Sequence, residues 1–241
     1  MKRLLLALAL AGSIASALAQ RGAPPAGINA AMLKMFGDIK AFSATAEARM
    51  LDKDLKEISA MPMTMSMRDN KLRSEMDLSQ VKGGAMPPEA AAMMKQAGMD
   101  RMVTVIRPDR KSTMIVYPGL QSFAEMPIAD AEVADAKVES TELGKETIDG
   151  HPCVKTRLAS TDAQGQVREA FVWQASDLKQ FPIQMQMPQR SNTLIVKFQP
   201  PKLETPEASL FDVPASYTKY SNVQALMQAA LMKMFSGAGG K

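Results

Sequence analysis

Histidine, cysteine and tryptophan occur once each in the 241 residues, and tyrosine three times. A single histidine leaves no material for histidine-based triads or for a multi-histidine zinc site. A single cysteine, Cys153, makes no internal disulfide, so packing must hold the fold even in an oxidising compartment, and Cys153 reads as a small buried hydrophobe. Charge of one sign is not concentrated anywhere. The 29 basic and 25 acidic residues are interspersed, which excludes the dense basic face that nucleic acid requires. The carboxylates are scattered without a paired motif, so no enzymatic chemistry and no cofactor are read from them.

Long apolar runs are also missing, apart from one at the start. Lys2 and Arg3, the run Leu4 to Leu10 and the small-residue ending Ala17-Leu18-Ala19 describe a secretory signal peptide over 1–19, with cleavage after Ala19 and a periplasmic destination. Gly12, Ser13 and Ser16 interrupt that run before it reaches the roughly 20 residues of a membrane span. No later transmembrane segment is expected. Removing the leader takes away Lys2 and Arg3 and leaves 27 basic residues against 25 acidic. The sequence therefore divides into the leader, a flexible lead at 20–27, one domain over 28–235 with a sizeable core, and a disordered tail at 236–241.

Methionine is abundant, with 21 against 8 phenylalanines. Met61, Met63, Met65 and Met67 recur at intervals of two, which places four thioethers on one face of a strand, in a row about 20 Å long. Met185 and Met187 repeat the pattern, and Met93 and Met94 form another cluster. Methionine is unbranched and polarizable, so such a row accepts apolar partners of variable shape.

The remaining pattern supplies a frame for this row. Ile28, Met32, Met35, Phe36 and Ile39 predict an amphipathic helix. Alternating segments at 42–51, 56–68 and 71–79 predict an antiparallel meander turning at Asp69-Asn70, with an edge or bulged stretch at Pro62. Pro87-Pro88-Glu89 through Gly98 predicts a short helix, either a lid or a plain connection. Residues 101–107 and 112–117 read as a hairpin around Pro108 to Lys111, and 124–135 as a looser stretch. Strands resume at about 137–148, 153–160, 167–174, 181–187 and 192–199. Ser221-Asn222-Val223-Gln224 predicts a capping box opening a final helix through Phe235. The fold class is α+β: a single curved antiparallel sheet, with helices on its concave face.

This order resembles the periplasmic lipoprotein-carrier superfamily, the LolA and LolB-like half-barrel. Two stretches resemble the related DUF4412 family more closely. The first is Arg101-Met-Val-Thr-Val-Ile-Arg-Pro-Asp-Arg with Ile115-Val-Tyr-Pro-Gly-Leu-Gln-Ser-Phe-Ala-Glu-Met-Pro. The second is Gly144-Lys-Glu-Thr-Ile-Asp-Gly-His-Pro-Cys-Val-Lys with Phe171-Val-Trp-Gln-Ala-Ser-Asp-Leu, Phe181-Pro-Ile and Phe211-Asp-Val-Pro-Ala-Ser-Tyr. The resemblance implies a concave apolar face that holds a lipid or the acyl chain of an acylated protein. Three readings of the methionines stand at this point. Met61, Met63, Met65, Met67, Met185 and Met187 line an apolar cavity; or Met63 and Met65 join His151 and Cys153 as soft ligands of Cu(I), neighbouring methionines being about 6.6 Å apart along the strand; or the row fills a core that takes no ligand.

Overall fold

The computed structural model describes residues 33, 35–83, 87–128, 137–161, 167–189 and 191–237. The leader, the flexible lead and most of the first predicted helix lie outside them.

Thirteen strands form one open, curved sheet. They are β1 (Ala41–Leu51), β2 (Glu57–Arg68), β3 (Lys71–Asp77), β4 (Lys82–Gly83), β5 (Arg101–Arg107), β6 (Ser112–Tyr117), β7 (Ser122–Pro127), β8 (Lys137–Ile148), β9 (His151–Thr161), β10 (Val167–Ala175), β11 (Phe181–Pro188), β12 (Thr193–Phe198) and β13 (Thr218–Tyr220). The spatial order is β13-β7-β6-β5-β3-β2-β1-β12-β11-β10-β9-β8, with β4 beside β2. Pairing is antiparallel except where β13 runs parallel to β7. Among the described residues, the helices α1 (Pro88–Gln96) and α2 (Val223–Gly237) accompany the sheet.

The connections follow from turn chemistry. Asp69 and Asn70, and Asp149 and Gly150, all take positive φ and close two-residue hairpins, because that backbone matches the right-handed twist of the strands. Single 3₁₀ turns at Pro108–Arg110, Pro118–Leu120 and Ser176–Leu178 each end in a left-handed residue, Lys111, Gln121 or Lys179. Gly98 and Gly119 lie back to back, and a Cβ on either would meet the other's backbone within 2.8 Å. This contact seats the end of α1 on the turn between β6 and β7.

Several sequence expectations need correction. Residues 36–38 form a turn rather than helix, since Gly37 at φ 54° breaks it before Ile39. The loose stretch expected from Ala124 begins inside β7, because Ser122 to Pro127 pairs with β6 and its first half, Ser122 to Ala124, also with β13. β9 starts at His151, two residues early, as the Asp149-Gly150 turn is tight. The α2 cap is Asn222, whose Oδ1 accepts the Ala225 N–H at 2.8 Å, one residue after the expected Ser221. Ser236 and Gly237, expected in the tail, belong to α2. Pro62 sits where the outer neighbour of β2 changes from β3, which pairs from Met63 onward, to β4, which pairs at Ser59 and Ala60. Its missing donor falls in that gap.

β5 and β6 are buried on both faces. Their outer side is covered by the segment that returns from β12, through Phe211, Val213 and Tyr217. Arginines clip this strap down: Arg68 donates to the Pro206 carbonyl (2.8 Å), Arg73 to Leu210 (3.1 Å) and Arg107 to Phe211 (2.9 Å). Arg107 is 5% exposed and also binds Asp109 through two nitrogens and Asp212 at 2.6 Å. The hydrogen bond from Arg107 holds the Asp109 carboxyl below the ordinary aspartate range. A depressed carboxylate stabilises the fold above the ordinary range and loses that contribution as pH falls through its own value. Arg107→Met is expected to lower stability by about 2 kcal/mol and to weaken the acid dependence, as read by urea unfolding at neutral and acidic pH.

Candidate functional site

Register fixes which side chains share the concave face. Four rows cross β2 at its methionines. Met67 lies opposite Phe42 on β1 and Leu72 on β3, and the row continues through Ile106 to Thr113. Met65 lies opposite Ala44 and Ser74, continuing through Thr104 and Ile115 to Ala124. Met63 lies opposite Ala46 and Met76, and Met76 opposite Met102. Met61 lies opposite Ala48, and that row runs the other way through Val196 and Met185 to Val172 and Thr156. The two methionine groups found in the sequence therefore share one face.

Their environments differ along β2. Met65 and Met67 are 1% and 2% exposed and Met185 is fully buried, in a cluster with Met35, Phe36, Phe42, Phe181 and Phe198. The aromatic rings of that cluster stack and edge at 4.6 Å (Phe36–Phe42), 5.1 Å (Phe42–Phe181) and 5.5 Å (Phe181–Phe198). Met187 belongs to the same cluster and Met63 packs against it. A second cluster on the same face joins Met94, Ala97 and Met99 from the α1 region to Ile115, Tyr117, Ala124, Leu226 and Ala230. Between the two, Met61, Met63, Met76 and Met102 are only partly buried. Met76 and Met102 were not singled out in the sequence, nor was Tyr117, whose hydroxyl donates to the Met102 sulfur at 3.6 Å.

The residues of the copper reading are divided. His151 and Cys153 lie on β9, and β10, β11, β12 and β1 stand between that strand and Met63 and Met65 on β2. His151 Nδ1 pairs with Asp177 at 2.8 Å. Cys153 is buried, donates weakly to the His151 carbonyl, and has its thiol pKa raised by burial. Among the described residues, no group of three or more His, Cys, Asp or Glu side chains is placed to hold a metal ion. Two clefts lie away from the six methionines. One of about 560 Å³ is bordered by Leu78, Val81, Pro87 and Ala91, and one of about 340 Å³ by Glu146, Pro152 and Cys153.

A family model described as a domain of unknown function, DUF4412, matches residues 50–180, more than half of the chain and the whole span from the end of β1 to the turn after β10. The chain belongs to the DUF4412 family. No curated protein matches this DUF4412 sequence. Among solved structures it is similar to a LolA superfamily protein from Nitrosomonas europaea, at 9% identity and a TM-score of 0.45, covering 79% of this chain and 98% of that one. It is similar also to the lipoprotein LppX of Mycobacterium tuberculosis, at 11% identity and a TM-score of 0.38, covering 71% and 93%. A third is a putative outer membrane lipoprotein-sorting protein domain from Vibrio parahaemolyticus, at 11% identity and a TM-score of 0.36, covering 77% and 95%. Among the described residues, no helix is long and apolar enough to cross a membrane.

Tyr117 offers a test of how dry this face is. Burial pushes its phenol up to about 12, from an ordinary 10.0. A raised phenol stabilises the fold below its unfolded value and withdraws that support as pH rises through the folded one. Stability is therefore expected to fall between about pH 10 and 12, and Tyr117→Phe to flatten that fall in alkaline thermal unfolding.

Proposed function

We propose that this protein is a non-enzymatic periplasmic carrier that holds a lipid, or the acyl chain of an acylated protein, against the concave face of its sheet. The observation that carries the reading is the half-covered methionine seam. Met63, Met76 and Met102 face one another across three strands, with Met61 beside them, between two closed apolar clusters. A packed domain ordinarily buries such a stripe or interrupts it with polar residues. Unbranched thioethers with three rotatable bonds can part and repack around an alkyl chain, which branched aliphatics do less readily.

In this reading the seam is where the chain enters. Met65, Met67, Met185 and Met187 are the floor beyond it, uncovered when Met35 and Phe36 give way. The structure is then a closed state whose apolar surfaces satisfy one another. Binding exchanges those contacts for contacts with the guest, so the free-energy difference between states is small compared with either burial term. The scattered carboxylates and the single histidine play no chemical part.

Native mass spectrometry of the mature protein, released gently and then delipidated and re-exposed to a fatty acid, tests this. Wild-type protein is expected to carry adducts of acyl-lipid mass. Met63→Glu with Met76→Glu is expected to lose at least about tenfold in affinity, because a carboxylate in the seam meets an unpaired desolvation cost. Both sites are partly exposed, so folding is expected to survive. A well-folded double variant that binds as wild type, or a wild-type protein that takes up no lipid, contradicts the proposal.

A further inference from the structure

The methionine row does not stop at Met102. Met102 lies near the start of β5 and Tyr117 at the end of β6, one step beyond the pairing of Val103 with Val116. The row that crosses Met63, Met76 and Met102 therefore reaches a phenol. From Met63 to Tyr117 it spans three strand spacings, about 14 Å. The Tyr117 side chain belongs to the second cluster, with Met94 of α1 and Leu226 of α2, and the residue is 4% exposed. Its hydroxyl turns the other way, to the sulfur of the seam residue Met102 at 3.6 Å. Met93 and Met232 on the same two helices are 49% and 74% exposed and take no part in the row.

That hydrogen bond is a poor one. A thioether sulfur is a weak acceptor, and a buried hydroxyl without a good partner costs free energy. Burial also raises the phenol to about 12, so the group stays protonated, and a donor, at neutral pH. Among the described residues the Met102 sulfur is the partner this hydroxyl has. One end of an otherwise apolar row thus carries a desolvated donor whose acceptor is easily bettered. An acyl chain brings the matching group, because its carbonyl oxygen is a strong acceptor at one end of an alkyl run. Resting on the carrier reading above, we infer that Tyr117 is the polar anchor of the seam: its hydroxyl leaves the Met102 sulfur and donates to the acyl carbonyl of the guest, an ester, amide or acid, while the alkyl chain runs back over Met102, Met76 and Met63. The seam then selects carbonyl-headed chains over plain hydrocarbon and fixes the direction in which they lie.

Tyr117→Phe removes the hydroxyl and keeps the ring, so its thermal unfolding at neutral pH is expected to match wild type. Methyl decanoate and decane, each supplied through the vapour, are the probes, because both are alkyl chains and only the ester carries an acceptor. Wild-type protein is expected to take up both. Tyr117→Phe is expected to bind methyl decanoate about tenfold more weakly and decane as wild type does. In infrared spectra the carbonyl band of carbon-13-labelled methyl decanoate is expected at lower wavenumber in the wild-type complex than in the Tyr117→Phe complex. Equal ester affinity in the two proteins, or one band position in both, overturns the inference and leaves the carrier reading standing. A tenfold loss with decane as well would mark the hydroxyl as structural and overturns it too. A wild-type protein that takes up neither probe overturns both readings.

Discussion

An open sheet has one concave face that must be kept from water, and the rest of this molecule is arranged around that requirement. Among the described residues no strand closes the gap between β8 and β13, so the cover comes from elsewhere. The Met35-Phe36 turn covers one end and α1 with α2 the other. Two separate covers leave a boundary, and the boundary is where the partly buried methionines lie. Burial along β2 therefore grades from closed at Met67 and Met65 to half-open at Met63 and Met61. A closed barrel would bury all four alike.

The outer face is treated differently. Over β5 and β6 it is sealed by Phe211 and its neighbours, with arginines donating to strap carbonyls. Hydrogen bonds from a planar, always charged group to main-chain oxygen are directional and do not tolerate repacking as thioether contacts do. The outer side of the central hairpin is thus fixed by polar geometry, while the concave face beside it carries the Met63, Met76 and Met102 row.

Much of this was legible in the sequence, and the limits are specific. The interval of two in Met61 to Met67 gave the strand and its common face. The two-residue turn at Asp69-Asn70 even fixes the pairing of Met63 with Met76, since residues equally distant from such a turn face one another. The pairing of Met76 with Met102 was not readable, because α1 intervenes and no short turn sets the register of β3 against β5. β13 is three residues long and pairs in parallel with a distant strand, so nothing local announces it. β7 was hidden by Pro127 and by its partnership with β13. The partition of the concave face into two clusters also lay beyond the sequence, as it depends on where α2 returns after the strap.

The boundary between those clusters is the central claim, and methionine methyl groups report on it directly. In a carbon-13 methyl spectrum of methionine-labelled protein, saturating palmitate is expected to shift the resonances of Met61, Met63, Met76 and Met102 while those of Met93 and Met232 stay in place. Seam resonances that do not move at saturation, or shifts confined to the exposed helix methionines, would contradict it.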